Sequence, residues 1–324
     1  MRAAVCRSYG PPEVVRIEDD YPAPSLERGQ VRVRVRAAAV NFPDVLLVAN
    51  QYQVTVPTPF VPGSEFAGVV AEAAEGVTEL DVGDRVFGTS MVGAFAEEAV
   101  ASAQTLTRIP AGVNDRLAAA FGVAHRTAYH VLRSVAEVRS GEELVVLGAA
   151  GGVGLAAVQL GVILGATVTA VASSPEKLEV AASCGARRRI DRRAGDLRKA
   201  FREALPGGAD VVVDPVGGDL SEPALRSLRW GGRFVTVGYA SGVIPKIPLN
   251  LVLLKGVRIL GFEFRGFATN VPDEVRRNDQ ELLELLASQR VLPHIGATFP
   301  LADTAAALRY VADGRAIGKV VVEL

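Results

Sequence analysis

Leu144-Val145-Val146-Leu147-Gly148-Ala149-Ala150-Gly151-Gly152-Val153-Gly154 runs from an apolar stretch into a cluster of glycines. The pattern predicts a buried strand over 143–147, a helix over 154–164 and a second strand over 167–172. Strand, glycine turn, helix and strand in that order make one βαβ unit. The start of such a helix offers unpaired backbone N–H groups, and glycine lets a pyrophosphate come close to them. The stretch therefore points to dinucleotide binding. It is a variant of G-x-G-x-x-G, because Ala149 stands where the first glycine would be.

Residues 148–172 are almost free of charge and long enough to span a bilayer. Glycines at 148, 151, 152, 154, 161 and 165, with a β-branched run at the end, argue instead for a buried turn, helix and strand. Further along, 175–184 predicts a helix, 211–214 and 233–237 predict buried strands, and 257–264 a last, edge strand. Strands alternating with helices imply a parallel sheet.

Upstream of about residue 120 the texture is mostly β. Val31-Arg32-Val33-Arg34-Val35-Arg36 alternates strictly, as a half-buried strand does, with its arginines toward solvent. Residues 66–72 and 82–88 suggest two more strands, and 115–135 a helical run broken near Gly122. The tail predicts helices over 279–288 and 302–312 and a closing strand over 318–323.

The chain has 324 residues, enough for about two domains of ~150 residues. Hydrophobic residues make up 49% and charged residues 22%, so a sizeable core is available. Lys plus Arg total 35 and Asp plus Glu 36. That balance gives no general electrostatic grip on nucleic acid or an anionic membrane. The two cysteines, Cys6 and Cys184, form no CxxC pair and are expected as free thiols. The opening Met1-Arg2-Ala3-Ala4-Val5-Cys6-Arg7 has no apolar signal core, so a cytoplasmic protein that does not enter the membrane is expected.

The second strand of the βαβ unit bears on which dinucleotide is taken. A 2′-hydroxyl is usually held by a carboxylate at its end. Here the position reads Ala172-Ser173-Ser174, followed by Lys177 and, after the next strand, Arg192-Arg193. Hydroxyls and cations suit a 2′-phosphate, which favours NADP over NAD.

The whole chain resembles the medium-chain dehydrogenase/reductase superfamily, and within it the zinc-independent NADPH:quinone oxidoreductase (zeta-crystallin-like) family. The resemblance rests on Asn41-Phe42-Pro43-Asp44, on Pro59-Phe60-Val61-Pro62-Gly63-Ser64-Glu65-Phe66-Ala67-Gly68, on Gly83-Asp84-Arg85-Val86, and on Thr127-Ala128-Tyr129. The glycine turn and Gly318-Lys319-Val320-Val321-Val322 complete it. It implies an α/β fold: a Rossmann doubly wound parallel sheet over 125–264, inserted in a GroES-like β domain of 1–124 plus 265–324. In such proteins the active site lies in the cleft between the two domains.

Zinc-dependent relatives carry a Cys ligand near Asn41 and a His where Ser64 stands, so the resemblance implies a metal-free site. Hydride would come from NADPH, and the protein would position the acceptor and stabilise its developing charge. Tyr52 and Asn41 are the implied acceptor-side residues. Relatives show G-x-Y where this chain has Asn50-Gln51-Tyr52. The implied cofactor contacts are Thr127, Ala150, Gly151, Gly152, Val153, Gly154, Ser173, Lys177, Arg192, Gly238, Phe264 and Lys319. The acceptor would be a quinone or related carbonyl. The alternatives are an enone or enoyl thioester, or a crystallin-like nucleotide- or RNA-binding role through Arg187-Arg188-Arg189. A homodimer is expected, because the apolar edge strand at 257–264 needs covering.

Overall fold

The computed structural model describes residues 1–324. The chain divides into two compact units, Met1–Val123 with Leu286–Leu324, and Ala124–Leu285. The boundaries fall at 123/124 and at 285/286.

The first unit begins with a small antiparallel pair, β1 (Ala3–Cys6) and β2 (Val15–Glu18). Its frame is β3 (Gln30–Val40), where the Val-Arg alternation takes its expected form. Val31, Val33 and Val35 are buried, while Arg34 and Arg36 are exposed. Helix α1 (Phe42–Val48) follows directly, and then β4 (Glu65–Ala73), β5 (Arg85–Thr89), β6 (Glu98–Ser102), β7 (Leu106–Arg108) and α2 (Asp115–Ala119). β3 pairs antiparallel with both β4 and β6, and buried Phe66 and Phe95 belong to the core beneath.

The second unit opens within α3 (Gly122–His130), which runs on into one π-helical turn at Val131–Val135. Then come β8 (Glu143–Leu147), α4 (Gly152–Ile163), β9 (Thr167–Ala172), α5 (Pro175–Ser183), β10 (Arg188–Asp191), α6 (Leu197–Ala204) and β11 (Ala209–Asp214). After them come α7 (Ser221–Ser227), β12 (Leu228–Thr236), α8 (Leu249–Lys255), β13 (Arg258–Gly261), α9 (Phe264–Asn270) and α10 (Pro272–Ala287). The six strands pair in parallel in the order β10-β9-β8-β11-β12-β13. This is the doubly wound order, and its topological switch lies between β8 and β11.

The uncharged segment 148–172 is thus a turn, α4 and β9. Its apolar side chains lie in the sheet and in a helix buried over most of its length. No helix is long and apolar enough to cross a membrane.

Three contacts explain the later boundary. Tyr129 donates to Glu281 at 2.6 Å, Arg126 grips Asp279 at 2.8 and 2.7 Å, and Asn278 Nδ2 donates to His130 Nδ1 at 3.0 Å. Each ties α10 to α3. Phe262, Phe264 and Phe267 pack on the His130 ring at 5.2–6.2 Å. Residues 265–285 therefore belong with the parallel sheet.

The chain then returns to the first unit through β14 (Ile295–Pro300), α11 (Thr304–Ala312) and β15 (Lys319–Glu323). β15 pairs antiparallel with β3 and completes the order β14-β15-β3-β4-β5-β7. Cys6 and Cys184 are both unbridged.

Candidate active site

The glycine turn sits at the switch point of the parallel sheet, and its glycines have separate reasons to be glycine. Gly148 takes φ +59°, a conformation few side chains adopt. A Cβ on Gly154 would run into the Gly148 carbonyl oxygen and lie 2.8 Å from Ala149 Cα. These two are required by the turn itself. Gly151 is different. It is the N-cap of α4 at φ −79°, and a Cβ there would meet only the Gly148 oxygen at 3.5 Å. Gly238 is similar, with only Pro215 O at 3.7 Å. The chain's own packing does not explain why Gly151 and Gly238 lack side chains.

Ala149 N–H donates to Val171 O and Gly151 N–H to Gly148 O, which curls the turn under α4. The N–H groups of Gly152, Val153 and Gly154 open the helix, where no intrahelical carbonyl precedes them. Ala150 is buried beside them.

At the end of β9 the Ser174 hydroxyl caps α5, accepting from Lys177 N–H at 3.3 Å. Half-buried Ser173 precedes it. Burial pushes the Lys177 ammonium below the usual lysine range, and Arg192 and Arg193 push it further, with Glu176 opposing. Arg192 is held near the strand end by its backbone N–H, which donates to Ala172 O at 2.9 Å. Three cations thus converge where the sequence lacks a carboxylate.

Thr127 lies half-buried on α3. Phe264, expected at the end of a strand, is instead the first residue of α9. The Glu263 carboxylate starts that helix by accepting from the N–H groups of Arg265 and Gly266 at 2.8 and 2.7 Å. Arg126 lies 4.5 Å over the Phe264 ring.

The residues expected on the acceptor side, Asn41 and Tyr52, lie in the first unit. Asn41 is the N-cap of α1, and its N–H donates to Asp44 Oδ2 at 2.7 Å. The helix ends in a left-handed turn. Asn50 takes φ +53°, its N–H donates to Leu47 O, and Gln51 N–H donates to Leu46 O at 2.8 Å. That is a Schellman ending, and asparagine tolerates it where relatives place glycine. Asn50 Oδ1 also accepts from Thr55 Oγ1 at 3.0 Å. Tyr52 follows this turn half-buried.

Lys319 and Asn41 meet inside the first unit. The Lys319 ammonium donates to Asn41 Oδ1 at 2.6 Å and to Glu65 Oε1. The Asn41 amide donates to Glu65 Oε1 at 2.9 Å and more weakly to Ser64 Oγ at 3.4 Å. Both ends of its carboxamide are engaged inside the fold. Sequence reasoning did not single out Glu65 or Asp44. Their signal was a carboxylate set in an apolar run, Ser64-Glu65-Phe66-Ala67 and Phe42-Pro43-Asp44-Val45.

Residues 152–284 match the family described as zinc-binding dehydrogenase, and residues 27–111 the alcohol dehydrogenase GroES-like domain. "Quinone oxidoreductase-like protein 2" of Bos taurus is 37% identical over 325 residues, covering 100% of this chain and 92% of that protein. This chain belongs to the medium-chain dehydrogenase/reductase family.

The Escherichia coli quinone oxidoreductase, solved in complex with NADPH, matches this family member with TM-score 0.92 and 27% identity, covering 100% of both chains. A mycocerosic acid synthase-like polyketide synthase of Mycobacterium tuberculosis is 31% identical across 91% of this chain and 14% of that protein.

The family description names zinc, and the residues here do not fit it. No group of three or more His, Cys, Asp or Glu side chains is placed to hold a metal ion. The Glu65 carboxylate beside Asn41 and Ser64 already carries the Lys319 ammonium, which would repel a second cation.

Proposed function

We propose that this chain is an NADPH-dependent oxidoreductase that reduces a quinone or related carbonyl acceptor without a metal. The observation that carries the reading is the pairing of two anion-ready features at the switch point. One is the open first turn of α4, with Gly151 left without a side chain. The other is the cluster of Lys177, Arg192 and Arg193 at the end of β9. A pyrophosphate fits the first and a 2′-phosphate the second. Burial is the main reason the Lys177 ammonium sits below the usual lysine range, and an anion there would offset the smaller part that comes from Arg192 and Arg193.

In this reading Gly152, Val153 and Gly154 hold the pyrophosphate through backbone N–H groups. Ser173, Lys177 and Arg192 hold the 2′-phosphate, while Thr127, Gly238 and Phe264 border the nicotinamide. Bound NADPH supplies hydride. Tyr52 donates a hydrogen bond to the acceptor oxygen as negative charge develops on it.

The resemblance to a polyketide synthase segment favours a second reading, reduction of an enone or enoyl thioester at the same site. A nucleic-acid role finds less support. Arg188 pairs with Glu143 and Arg189 with Glu179, so most of the triple-arginine charge is spent locally. We also propose a homodimer built on β13, the sheet's edge strand, with exposed Leu249, Leu253 and Leu254 of α8 beside it in sequence.

Steady-state oxidation of NADPH with 1,4-benzoquinone, 9,10-phenanthrenequinone and crotonyl-CoA tests the reading. Turnover should be fastest with the quinones and persist in chelator. Preference for crotonyl-CoA would establish the second reading. NADPH binding without turnover on any acceptor would leave a binding role.

A further inference from the structure

The first unit buries three ionisable side chains together, Asp44, Glu65 and Lys319, with Lys319 only 4% exposed. Burying charge is costly unless each charge is paired and hydrogen-bonded. Here the pairing is specific. Lys319, the first residue of β15, reaches Glu65 at the start of β4 and Asn41 at the start of α1. Glu65 Oε1 also accepts from the Asn41 amide, and Oε2 accepts from Val123 N–H at 2.8 Å. Asn41 is therefore clamped from both ends, its oxygen by the ammonium and its nitrogen by the carboxylate.

Asn41 is the residue from which α1 starts. That helix of seven residues ends at the Schellman turn that leads to Tyr52. An ammonium committed to a carboxylate and an amide is poorly placed to serve a phosphate as well. Removing it would free the Asn41 carboxamide and the Glu65 carboxylate to reorient.

We propose that Lys319 is a positioning residue for the acceptor side: through Glu65 it locks Asn41 and the start of α1, and with them the loop that carries Tyr52. This rests on the function proposed above. It assigns the Lys319 ammonium to the acceptor half of the site and not to cofactor binding.

The test compares Lys319→Met with the double variant Lys319→Met/Glu65→Gln. The single variant strands a buried carboxylate and should melt at a lower temperature than wild type. The double variant removes both charges and should recover most of that loss. NADPH affinity is measured by fluorescence titration, and kcat and KM with 1,4-benzoquinone. In the folded double variant, the NADPH Kd should stay within about twofold of wild type. Its kcat should fall by roughly tenfold or more, with a smaller change in KM, because the lost contacts matter most in the transition state. A tenfold weaker NADPH Kd would make Lys319 a cofactor ligand and overturn the proposal. So would a kcat within twofold of wild type. A wild-type chain that binds no NADPH would refute the functional reading first and the positioning role with it.

Discussion

Replacing Gly151 and Gly154 by alanine, one at a time, separates what the turn needs from what a ligand needs. At Gly154 the new methyl would sit 2.8 Å from Ala149 Cα and 2.9 Å from its carbonyl carbon, and closer still to Gly148 O. Non-bonded carbons prefer about 3.5–4.0 Å. The backbone of the turn must therefore move by something near ~1 Å, and backbone yields less readily than a flexible side chain. Overpacking of this kind costs about 1–3 kcal/mol, occasionally more. At Gly151 the methyl meets one oxygen at 3.5 Å, an ordinary contact, and φ −79° suits alanine. A Gly→Ala change at a compatible site stabilises by about 0.4–1 kcal/mol through the unfolded chain. Urea unfolding followed by far-UV circular dichroism should thus show Gly154→Ala clearly destabilised and Gly151→Ala unchanged or slightly more stable. NADPH titration should show Gly151→Ala at least ~10-fold weaker, about 1.4 kcal/mol, because the methyl fills the space kept for the pyrophosphate. Wild-type affinity in Gly151→Ala, or a stability loss matching that of Gly154→Ala, would refute the reasoning.

Lys177→Ala should weaken NADPH by roughly ten- to a hundredfold, about 1.5–3 kcal/mol for a lost charge-assisted contact, and leave NADH nearly unchanged in the same titration. Tyr52→Phe should lower kcat by well under ~100-fold for a quinone and more for an enoyl thioester, since one donor to a developing oxyanion is worth about 2.7–4 kcal/mol. Wild-type kinetics on both substrates would reduce Tyr52 to packing. Burial pushes the Asp44 carboxyl up from 3.8 to about 7, Glu65 adding to the rise, against the opposing pull of Asn41 N–H, Ser64 and Lys319. A raised folded value means that Asp44 favours the folded state fully below about pH 4, a contribution lost as pH climbs through about 7. Asp44→Asn should flatten this dependence, gaining stability relative to wild type at pH 8 over pH 4 in parallel urea melts. Light scattering should give twice the 34.0 kDa chain mass, and a monomer at micromolar concentration would count against pairing through β13.

The parallel sheet was legible because its strands are short apolar runs bounded by glycine and helix signals. β8 and β9 fall on 143–147 and 167–172 as read from the sequence. Strand β3 was equally plain, because Val-Arg alternation has one face in the core. Helices α8 and α9 were not anticipated. The Leu249-Asn250-Leu251-Val252-Leu253-Leu254 run of α8 has no polar face to set a helical period. The start of α9 depends on Glu263, whose cap is visible only as hydrogen bonds. The extent of α10 was underestimated because its first half is strongly charged, and its place beside α3 depends on Tyr129, Arg126 and His130 reaching across more than a hundred residues of chain.

The candidate site divides in the same way. The glycine turn and the missing carboxylate after β9 are local features, and sequence shows them. The clamp of Lys319, Glu65 and Asn41 joins three segments through sheet pairing, β15 to β3 and β3 to β4. No local pattern marks Lys319 as the partner of Glu65, 254 positions away. Asn50 shows the converse. Its departure from the glycine of relatives is plain in sequence, and only the φ of +53° shows that it takes a left-handed conformation.

The most direct test of the account is a single-turnover measurement. The wild-type chain, pre-mixed with NADPH in the presence of a chelator, is mixed rapidly with 1,4-benzoquinone while NADPH absorbance is followed at ~340 nm. The account predicts one rapid loss of absorbance per bound NADPH, unaffected by the chelator and much slower when NADH replaces NADPH at equal concentration. Persistent absorbance in a complex shown by titration to contain NADPH would contradict it, as would equal rates with the two cofactors.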